Sequence, residues 1–205
     1  MNKPVFIAFE GIDGSGKSTQ VKILEEAFKS KRLEVQTTCE PTREATGKLI
    51  REVFAHRIPA EQMTIAALFL ADRIEHILRP ETGIKSLMAS GKSVITDRYY
   101  FSSYAYHSVY VDLNWVIELN RMPKKLLTPD LNIFIDVAPE IAFERIQQNR
   151  NTTEMYETLD NLVAVRNQYM RAFEMEKHHE KIVIVDGNQD VQRVAADIQR
   201  IIGDM

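Results

Sequence analysis

The sequence predicts an α/β fold of three layers, in which helices cover both faces of a five-stranded parallel sheet. Two observations lead to this prediction: short apolar segments alternate with segments of helical apolar spacing, and the first strand candidate leads into a glycine-rich segment. Such alternation is typical of parallel sheets with right-handed crossovers. Residues 1–205 are predicted to form a single domain that buries its core without a disulfide or a metal.

Five segments are predicted to form the strands. Residues 5–9 and 131–137 are mostly apolar, as expected of parallel strands that are buried on both faces. The other strands are expected at 33–38, 94–96 and 182–185.

Segments with apolar residues three and four positions apart are predicted to form the helices. The first follows the glycine-rich segment and carries Val21, Leu24 and Phe28 on one side. Pro139 is expected at the first position of a later helix, where its missing N–H costs nothing. The other helices are predicted at 47–54, 65–78, 84–88, 99–109, 115–119, 140–148, a long stretch ending near 179, and 191–202.

The composition excludes several classes of protein. Basic residues number 26 and acidic residues 29, and a net charge of −3 does not suit long nucleic acid. No apolar run approaches the roughly 18 residues of a membrane span, and the amino terminus lacks a signal-peptide pattern. Cys39 is the single cysteine, so no intramolecular disulfide can form. We therefore expect a cytoplasmic enzyme or binding protein, with neither nucleic acid nor membrane as a partner.

Residues 11–18 read Gly-Ile-Asp-Gly-Ser-Gly-Lys-Ser, which matches the phosphate-binding pattern G-x-x-x-x-G-K-[ST] between a strand and a helix. The glycines allow backbone N–H groups to point at phosphate oxygens, and the helix adds its positive dipole end. Lys17 is predicted to reach the β- and γ-phosphates, and Ser18 to ligate Mg²⁺. The alternative is a glycine-rich turn without a ligand. The residues expected to bind the nucleoside triphosphate are Gly11, Ile12, Asp13, Gly14, Ser15, Gly16, Lys17, Ser18 and Thr19.

Asp97 and Arg98 follow the third predicted strand, at the edge of the sheet where ligands of open α/β folds bind. Asp97 is expected either to hold a Mg²⁺-bound water or to pair with Lys17. Arg98 is expected to bridge donor and acceptor phosphates. The alternative is a structural ion pair at a strand end, and the phosphate-binding motif favours the functional interpretation.

Two further groups are weaker candidates. Phe69 and Arg73 are four positions apart on one predicted helix, so they share a face that would suit the stacking of a base and hydrogen bonds to its edge. After the second strand, Arg43 is a candidate for clamping a phosphate, and Glu40 for orienting Arg98. Core packing for Phe69, a surface ion pair for Arg73, and a solvated turn at Glu40 to Arg43 are the alternatives.

The remaining charged residues carry less information. The histidines and the single cysteine suggest no metal site. Arg145 and Arg166 are interpreted as helix-surface charge. Arg150 falls within the polar segment 149–153, which is predicted to form a lid.

Taken together, these segments resemble the thymidylate kinase family of nucleoside monophosphate kinases, over the whole chain. The resemblance implies a P-loop kinase fold with a short lid, ATP and dTMP as substrates, Mg²⁺ as cofactor, and a homodimer. It rests on Phe9 to Thr19 (FEGIDGSGKST), Glu40-Pro41, Phe69 to Arg73 (FLADR), Asp97-Arg98-Tyr99 with Ser102, Ser103 and Tyr106, and Pro129-Asp130-Leu131 leading into Phe134 to Val137.

The resemblance also assigns roles at a dTMP site. Phe69 would stack on thymine, Arg73 would bind the O4 edge, and Ser103 would reach the base. Asp13 would contact the 3′-hydroxyl, and Tyr106 would exclude a ribose. The phosphate would be held by Arg43 and Arg98. The residues expected to bind dTMP are Asp13, Arg43, Phe69, Arg73, Arg98, Ser102, Ser103 and Tyr106.

Two positions differ from the family pattern. Gly14 stands where some members carry an arginine in the phosphate loop, so the chain resembles the lid-arginine type that is common in bacteria. At the family's Arg-x-Glu in the lid, however, the chain reads Met155-Tyr156-Glu157. Arg150 is therefore the main candidate for a lid arginine. The expected catalytic residues are Lys17, Asp97, Arg98 and Arg150, and the expected metal ligands are Ser18 and Asp97.

The predicted reaction is in-line phosphoryl transfer from ATP to dTMP. A monophosphate is already an anion near neutral pH, so it needs charge neutralisation and positioning rather than a general base. A deoxynucleoside kinase is the alternative enzyme, and its hydroxyl acceptor needs a base, for which Glu40 is the candidate. A nucleotide-binding switch without catalysis is the alternative from another class.

Overall fold

The computed structural model describes residues 3–149 and 156–203, without the side chain of Asn149. In this part of the chain, a parallel sheet has the strand order β2-β3-β1-β4-β5. Every pairing in it is parallel, which confirms the predicted fold class. The strands are β1 Phe6–Glu10, β2 Val35–Cys39, β3 Ser93–Asp97, β4 Leu131–Asp136 and β5 Ile182–Asp186.

Helices cover both faces of the sheet. Right-handed crossovers place α1 and α10, which pack against each other, on one face and the helices between β2 and β5 on the other. No helix within these ranges is long and apolar enough to span a membrane. The helices are α1 Lys17–Ser30, α2 Ala45–Phe54, α3 Gln62–Leu78, α4 Ile84–Ala89, α5 Tyr100–His107, α6 Leu113–Leu119, α7 Arg121–Leu126, α8 Pro139–Asn149, α9 Leu159–Glu176 and α10 Val191–Gly203.

The strands differ in how deeply they are buried. The five residues of β1 are all buried, because β1 lies between β3 and β4 and helices cover both of its faces. Strand β5 lies at the edge, and Ile184 within it is 52% exposed. The apolar run of β1 is thus explained by core on both of its faces, whereas β5 carries a similar run, Ile182 to Val185, at the edge of the sheet.

Several boundaries differ from the predicted ones. Strand β2 begins at Val35 rather than at residue 33, because the Leu33 N–H closes the end of α1 by donating to the Phe28 carbonyl at 3.0 Å. The helix expected over 99–109 ends at His107, whose carbonyl accepts from the backbone of Tyr110 at 3.0 Å. Helix α7 was not predicted: Pro123 lies in its first turn, where a missing N–H breaks no helical bond.

The strand order places the ends of β1 and β3 side by side. Phe9 pairs in register with Asp97, so the loop after Glu10 adjoins Arg98. The chain leaves β1 toward β2 on one side, whereas β4 lies on the other, and ligands of open α/β sheets bind at such a switch point.

Candidate functional site

The glycine-rich motif forms the loop between β1 and α1, as predicted. Within it, the backbone of Gly14 has a φ of 77°. A Cβ atom at this position would lie 2.3 Å from the carbonyl oxygen of Ala142 in α8. The left-handed backbone and the contact with α8 both exclude a side chain, so glycine is required.

Lys17, the first residue of α1, is buried in the loop. Its Nζ donates to the carbonyl oxygen of Ile12 at 2.9 Å. Burial lowers the pKa of Lys17 to about 8, with help from the charge of Arg98, whereas Asp97 and Asp13 oppose the shift. An anion that comes close to a desolvated ammonium stabilises its charged form. The position and charge of Lys17 therefore suit a polyphosphate.

Ser18 and Asp97 form a pair of oxygen ligands at the mouth of the loop. Ser18 Oγ donates to Asp97 Oδ2 at 2.5 Å. The direct partner of Asp97 is therefore Ser18, rather than Lys17, which was one of the two alternatives predicted for Asp97. A hydroxyl and a carboxylate are hard oxygen donors of the kind that Mg²⁺ prefers, so the two residues fit this ion.

Arg98 follows β3 with a left-handed φ of 74°, a costly conformation for a residue other than glycine and one that is typical of functional sites. Its guanidinium donates to Asp13 Oδ1 at 2.6 Å and to the Tyr106 hydroxyl at 2.9 Å. A further N–H···O bond reaches the carbonyl of Gly11 at 3.0 Å. These contacts fix the Arg98 charge beside the phosphate loop.

Two cavities meet at Asp13, Arg98 and Glu157, which line both of them. The apolar cavity, of about 370 Å³, lies between α2, α3 and α5. The loop cavity, of about 680 Å³, contains the phosphate loop. A phosphate bound in either cavity would therefore be close to Arg98. The other residues lining the apolar cavity are Pro41, Arg51, Phe54, Ala55, Arg57, Phe69, Ser102, Ser103, Tyr106, His107 and Tyr156.

Six of the eight residues expected at the dTMP site line the apolar cavity, and Arg43 and Arg73 are the two that do not. Arg43 is exposed and lines a separate hollow with Ser18 and Asp97. Arg51, which lies in α2, lines the apolar cavity instead and donates to the carbonyl of Pro41 at 2.5 Å.

Arg73 is buried beneath the apolar cavity. Its Nε and Nη2 donate to Glu40 Oε2 at 2.8 and 2.6 Å, and His76 Nδ1 lies 3.0 Å from Glu40 Oε1. The expectation that Glu40 orients Arg98 is therefore wrong, because Glu40 pairs with Arg73 and His76. The spacing of Phe69 and Arg73 correctly predicted a shared face, but not this ion pair.

Arg145 is a second residue whose position differs from the one expected from the sequence. Arg145, interpreted from sequence as surface charge, lines the loop cavity in α8. Its guanidinium donates to the carbonyl oxygens of Gly187 at 3.2 Å and Gly14 at 3.5 Å. Arg166 pairs with Asp136 at 2.6 Å. The position of Arg145 over the phosphate loop suits contact with the nucleoside of a bound nucleotide.

Sequence reasoning missed several residues of the apolar cavity. The Tyr156 ring lies 5.3 Å from Phe54 and 5.9 Å from Tyr106. Tyr106 was expected at the dTMP site, but Phe54 and Tyr156 were missed, because the three rings come from distant segments that no local spacing connects. For His107 a signal existed: it follows Ser103 by four positions in α5, which places both on one side of the helix.

Glu10 was also missed, although it directly precedes the loop. It is fully buried and accepts from Ser102 Oγ at 2.6 Å, from Tyr169 at 3.0 Å and from the Tyr99 N–H at 2.9 Å. Burial raises the pKa of Glu10 to about 7, although these donors and the charge of Arg98 act to lower it. Ser102 Oγ also accepts a hydrogen bond from Arg98 at 3.1 Å. Glu10 therefore positions Ser102, which in turn contacts Arg98.

The proposed lid, 149–153, lies outside the described residues except for the backbone of Asn149. Asn149 ends α8, and the structure does not describe 150–155, which include Arg150 and Met155. Tyr156 and Glu157, directly after this interval, are buried at the apolar cavity.

A phosphate loop at the switch point of a parallel sheet, beside a second cavity that shares an arginine with it, defines a P-loop protein with two adjoining ligand sites. The sequence profile of thymidylate kinase matches residues 9–198, so the chain belongs to the thymidylate kinase family.

Individual relatives agree with this family. The chain is 36% identical over 203 residues to a protein of Pyrococcus horikoshii named "Probable thymidylate kinase", covering 96% of this chain and 95% of the relative. It is 37% identical over 171 residues to the "Thymidylate kinase" of Leptospira borgpetersenii, covering 83% and 82%. The similarity therefore extends across both cavities.

Proposed function

We propose that the protein transfers the γ-phosphoryl group of ATP to dTMP, forming dTDP for dTTP synthesis. The observation that carries the proposal is Arg98, which Asp13 and Tyr106 hold at the junction of the two cavities. A guanidinium at this point contacts both phosphates during transfer, and binds such groups through several parallel N–H donors.

The acceptor distinguishes this proposal from a deoxynucleoside kinase. A hydroxyl acceptor needs a general base, and the alternative assigned this role to Glu40. Glu40 is buried and pairs with Arg73 and His76, so it is not positioned to take a proton from a ligand in the apolar cavity. A phosphate acceptor needs only cations and alignment, which Arg98 and Lys17 supply.

The residue roles at the acceptor site are part of the proposal. The cavity walls suit Phe69 for the base, Ser103 for its edge, and Asp13 with Tyr106 for the deoxyribose. For the phosphate, Arg51 joins Arg98, because both line the cavity. Ser102 supports the Arg98 side chain at 3.1 Å. Direct contact of Arg43 and Arg73 with dTMP is proposed from the family resemblance alone.

Mg²⁺ is proposed as the cofactor. Ser18 and Asp97 would hold it, directly or through water, as hard oxygen ligands beside Lys17. When bound, the ion neutralises charge on the ATP phosphates. Asp97 fixes the Ser18 hydroxyl, and the buried Lys17 completes the cationic side of the loop.

We also propose that the chain is of the lid-arginine type, with Arg150 as the lid cation. The packing of Gly14 supports this, because the contact with Ala142 leaves no room for an arginine in the loop itself. The organisms of the relatives, archaeal and bacterial, do not favour one type.

A homodimer of single-domain chains, 1–205, is the proposed assembly. The surface of α2 and α3 exposes Leu49 by 38% and Met63 by 54%, and Ile58 between these helices by 39%. Exposed apolar side chains on these neighbouring helices suit an interface between copies.

The proposed function is tested by measuring ADP release with ATP, Mg²⁺ and a panel of acceptors: dTMP, dUMP, thymidine, UMP, AMP and GMP. We expect dTMP to give the highest kcat/KM and thymidine to give no turnover. A higher kcat/KM for thymidine than for dTMP would show that the protein is a deoxynucleoside kinase instead. Nucleotide binding without turnover of any acceptor would establish the switch.

A further inference from the structure

Two hydroxyl groups lie between the guanidinium of Arg98 and the core of the protein. Nη1 of Arg98 donates to Ser102 Oγ at 3.1 Å, and the Tyr169 hydroxyl lies 3.4 Å from the same nitrogen. Ser102 belongs to α5 and Tyr169 to α9, and the two hydroxyl oxygens are 2.8 Å apart. Arg98 is therefore held from inside the protein by two helices, in addition to Asp13 and Tyr106 at the cavities.

Both hydroxyl groups contact one buried carboxylate, that of Glu10 at the end of β1. Glu10 Oε2 accepts from Ser102 at 2.6 Å and from Tyr169 at 3.0 Å. Its other oxygen, Oε1, accepts from the Tyr99 N–H at 2.9 Å. Glu10 is fully buried and lines neither the apolar cavity nor the loop cavity. Any effect of Glu10 on a bound ligand must therefore pass through other residues.

The charge of Glu10 determines the direction of these hydrogen bonds. An ionised carboxylate only accepts, so the hydrogens of the Ser102 and Tyr169 hydroxyls point to Glu10 and their lone pairs are left for Arg98. A hydroxyl that donates to a carboxylate is also a stronger acceptor, because hydrogen bonds in a chain polarise one another. The negative charge of Glu10 thus acts on Arg98 through one hydroxyl on each of two paths.

We propose that Glu10 is a positioning residue for phosphoryl transfer, which orients the Ser102 and Tyr169 hydroxyls and so holds Arg98 at the junction of the two cavities. This inference rests on the proposed function, because it assigns the transfer step to Arg98. Two phosphates must be aligned for transfer, and a small displacement of the group that aligns them lowers the rate. Glu10 should therefore affect kcat more than the binding of either nucleotide.

The groups that face Glu10 favour its ionised form. Arg98 follows β3, Lys17 begins α1 and Arg73 lies in α3, and the positive charge of each interacts with Glu10. Tyr169 of α9 also lowers the pKa by donating a hydrogen bond. Burial opposes these groups and raises the pKa of Glu10 to about 7. The carboxyl therefore changes its charge within the pH range of an activity assay.

The experiment is the pH profile of kcat for the wild type and for Glu10→Gln, measured as ADP release at saturating ATP, Mg²⁺ and dTMP. Glutamine keeps the shape and an acceptor for the Tyr99 N–H but carries no charge. We expect the ratio of wild-type to variant kcat to be about 10 to 100 near pH 8.5 and to fall toward one near pH 5.5. Titration of the acceptor phosphate is common to both proteins and cancels in the ratio. The KM for each nucleotide should change by less than about threefold.

Two comparisons separate positioning from structural damage. Glu180→Gln is the matched control, because Glu180 is a buried carboxylate that accepts from Tyr100 at 2.6 Å but lines neither cavity. Its kcat should equal that of the wild type at every pH. Ser102→Ala combined with Tyr169→Phe removes both hydroxyls and should reproduce the loss of kcat, with no further loss when Glu10→Gln is added.

A ratio near one at every pH for folded Glu10→Gln, or a large ratio that does not change with pH, would overturn the positioning role. If thermal unfolding shows that Glu10→Gln does not fold, the double variant of Ser102 and Tyr169 decides, because its ratio should show the same fall toward one at low pH. Failure of the wild-type protein to phosphorylate dTMP would instead overturn the proposed function.

Discussion

At the scale of single residues, the site is organised by buried charges of opposite sign. Burial alone would raise the pKa of Asp13, but the charges of Arg98 and Lys17 outweigh it and lower the pKa below its usual value. Asp13 is thus an ionised carboxylate that holds Arg98 in place rather than a base. Fixed charges of this kind stabilise a transition state without reorganising during the reaction.

Lys17→Ala is expected to abolish turnover and leave the fold intact. Loss of the ammonium beside the transferred group removes several kcal/mol of transition-state stabilisation. The fold is expected to tolerate the change. Burial lowers the pKa of Lys17, so the charged ammonium is less stable in the folded protein than in water, and its removal relieves this penalty. The measurement is ADP release at saturating ATP and Mg²⁺, together with thermal unfolding. Near-wild-type turnover by folded Lys17→Ala would refute its assigned role.

Arg73→Ala is expected to destabilise the protein as well as weaken dTMP binding more than ATP binding. Glu40 and Arg73 are each about 1% exposed, and removal of one partner from a buried pair costs about 3–5 kcal/mol. Urea unfolding gives the stability, and separate titrations give the affinities.

The double variant Glu40→Gln with Arg73→Ala is the matched control for this pair. It should lose less stability than the sum of the two single variants, because it leaves no buried charge unpaired. Additive losses would show that the ion pair is not the cause.

At the scale of secondary-structure elements, the site is assembled where three helix ends and two strand ends meet. Strands β1 and β3 supply Glu10 and Asp97, α1 supplies Lys17, and α5 carries Ser103 and His107 on one side. Helix α8 packs directly on the phosphate loop through Ala142. Helix α8, which runs from Pro139 to Asn149, is therefore anchored near its start to the loop that would hold the ATP phosphates.

Arg150→Ala is expected to lower kcat by roughly 10²- to 10⁴-fold, within or just below the range of arginine fingers. The KM for dTMP should change little, because a contact made in the transition state affects kcat. Arg171→Ala, an exposed arginine of α9, is the matched control. A rate within threefold of wild type for Arg150→Ala would move the role to Arg145, which lines the loop cavity.

At the scale of the whole molecule, the buried network below the site links folding to pH. Glu10 ties β1 to α5 through Ser102 and to α9 through Tyr169. Burial lowers the pKa of His107 to about 3, so the folded protein holds this imidazole in its neutral form. Its contribution to the free energy of unfolding is present above the usual histidine pKa and is lost as the pH falls. Glu10 acts in the opposite direction, because its pKa is raised to about 7.

Glu10→Gln is expected to change the pH dependence of stability between pH 4.5 and 7. A carboxyl whose pKa rises from 4.5 to about 7 on folding favours the folded state at low pH, and this contribution is lost as pH rises through 7. The loss amounts to about 3 kcal/mol. We expect the difference in unfolding free energy between wild type and Glu10→Gln to shift by about this amount across the interval, measured by urea unfolding. A constant difference would refute the raised pKa.

The assembly provides a further prediction. Sedimentation at micromolar concentration should give about twice the chain mass of 23.6 kDa. Met63→Glu on α3 should weaken the dimer by placing charge on the proposed interface, whereas Met122→Glu on α7, at a residue 59% exposed, should not. A monomer for the wild type, or equal effects of both variants, would contradict the proposed surface.

The sequence by itself determined the fold class, the succession along the chain of the five strands and of every described helix except α7, and the phosphate loop. These depend on patterns within a few residues: continuous apolar runs for buried strands, helical spacing for amphipathic helices, and fixed glycine positions in the loop. The shared face of Phe69 and Arg73 was predictable for the same reason. The start of β2 at Val35 was not, because a backbone hydrogen bond from Leu33 to Phe28 at 3.0 Å holds Leu33 at the end of α1.

Only the tertiary structure decided which charged residues meet. Glu40 lies 33 positions from Arg73, and no local pattern indicates that it binds Arg73 rather than Arg98. Arg145 reads as an ordinary helix-surface residue until α8 packs on the loop around Gly14, and His107 reads as a helix end until Phe69 closes a cavity against it. Charges and hydrogen bonds act between groups that folding brings together, whereas a sequence displays only neighbours along the chain.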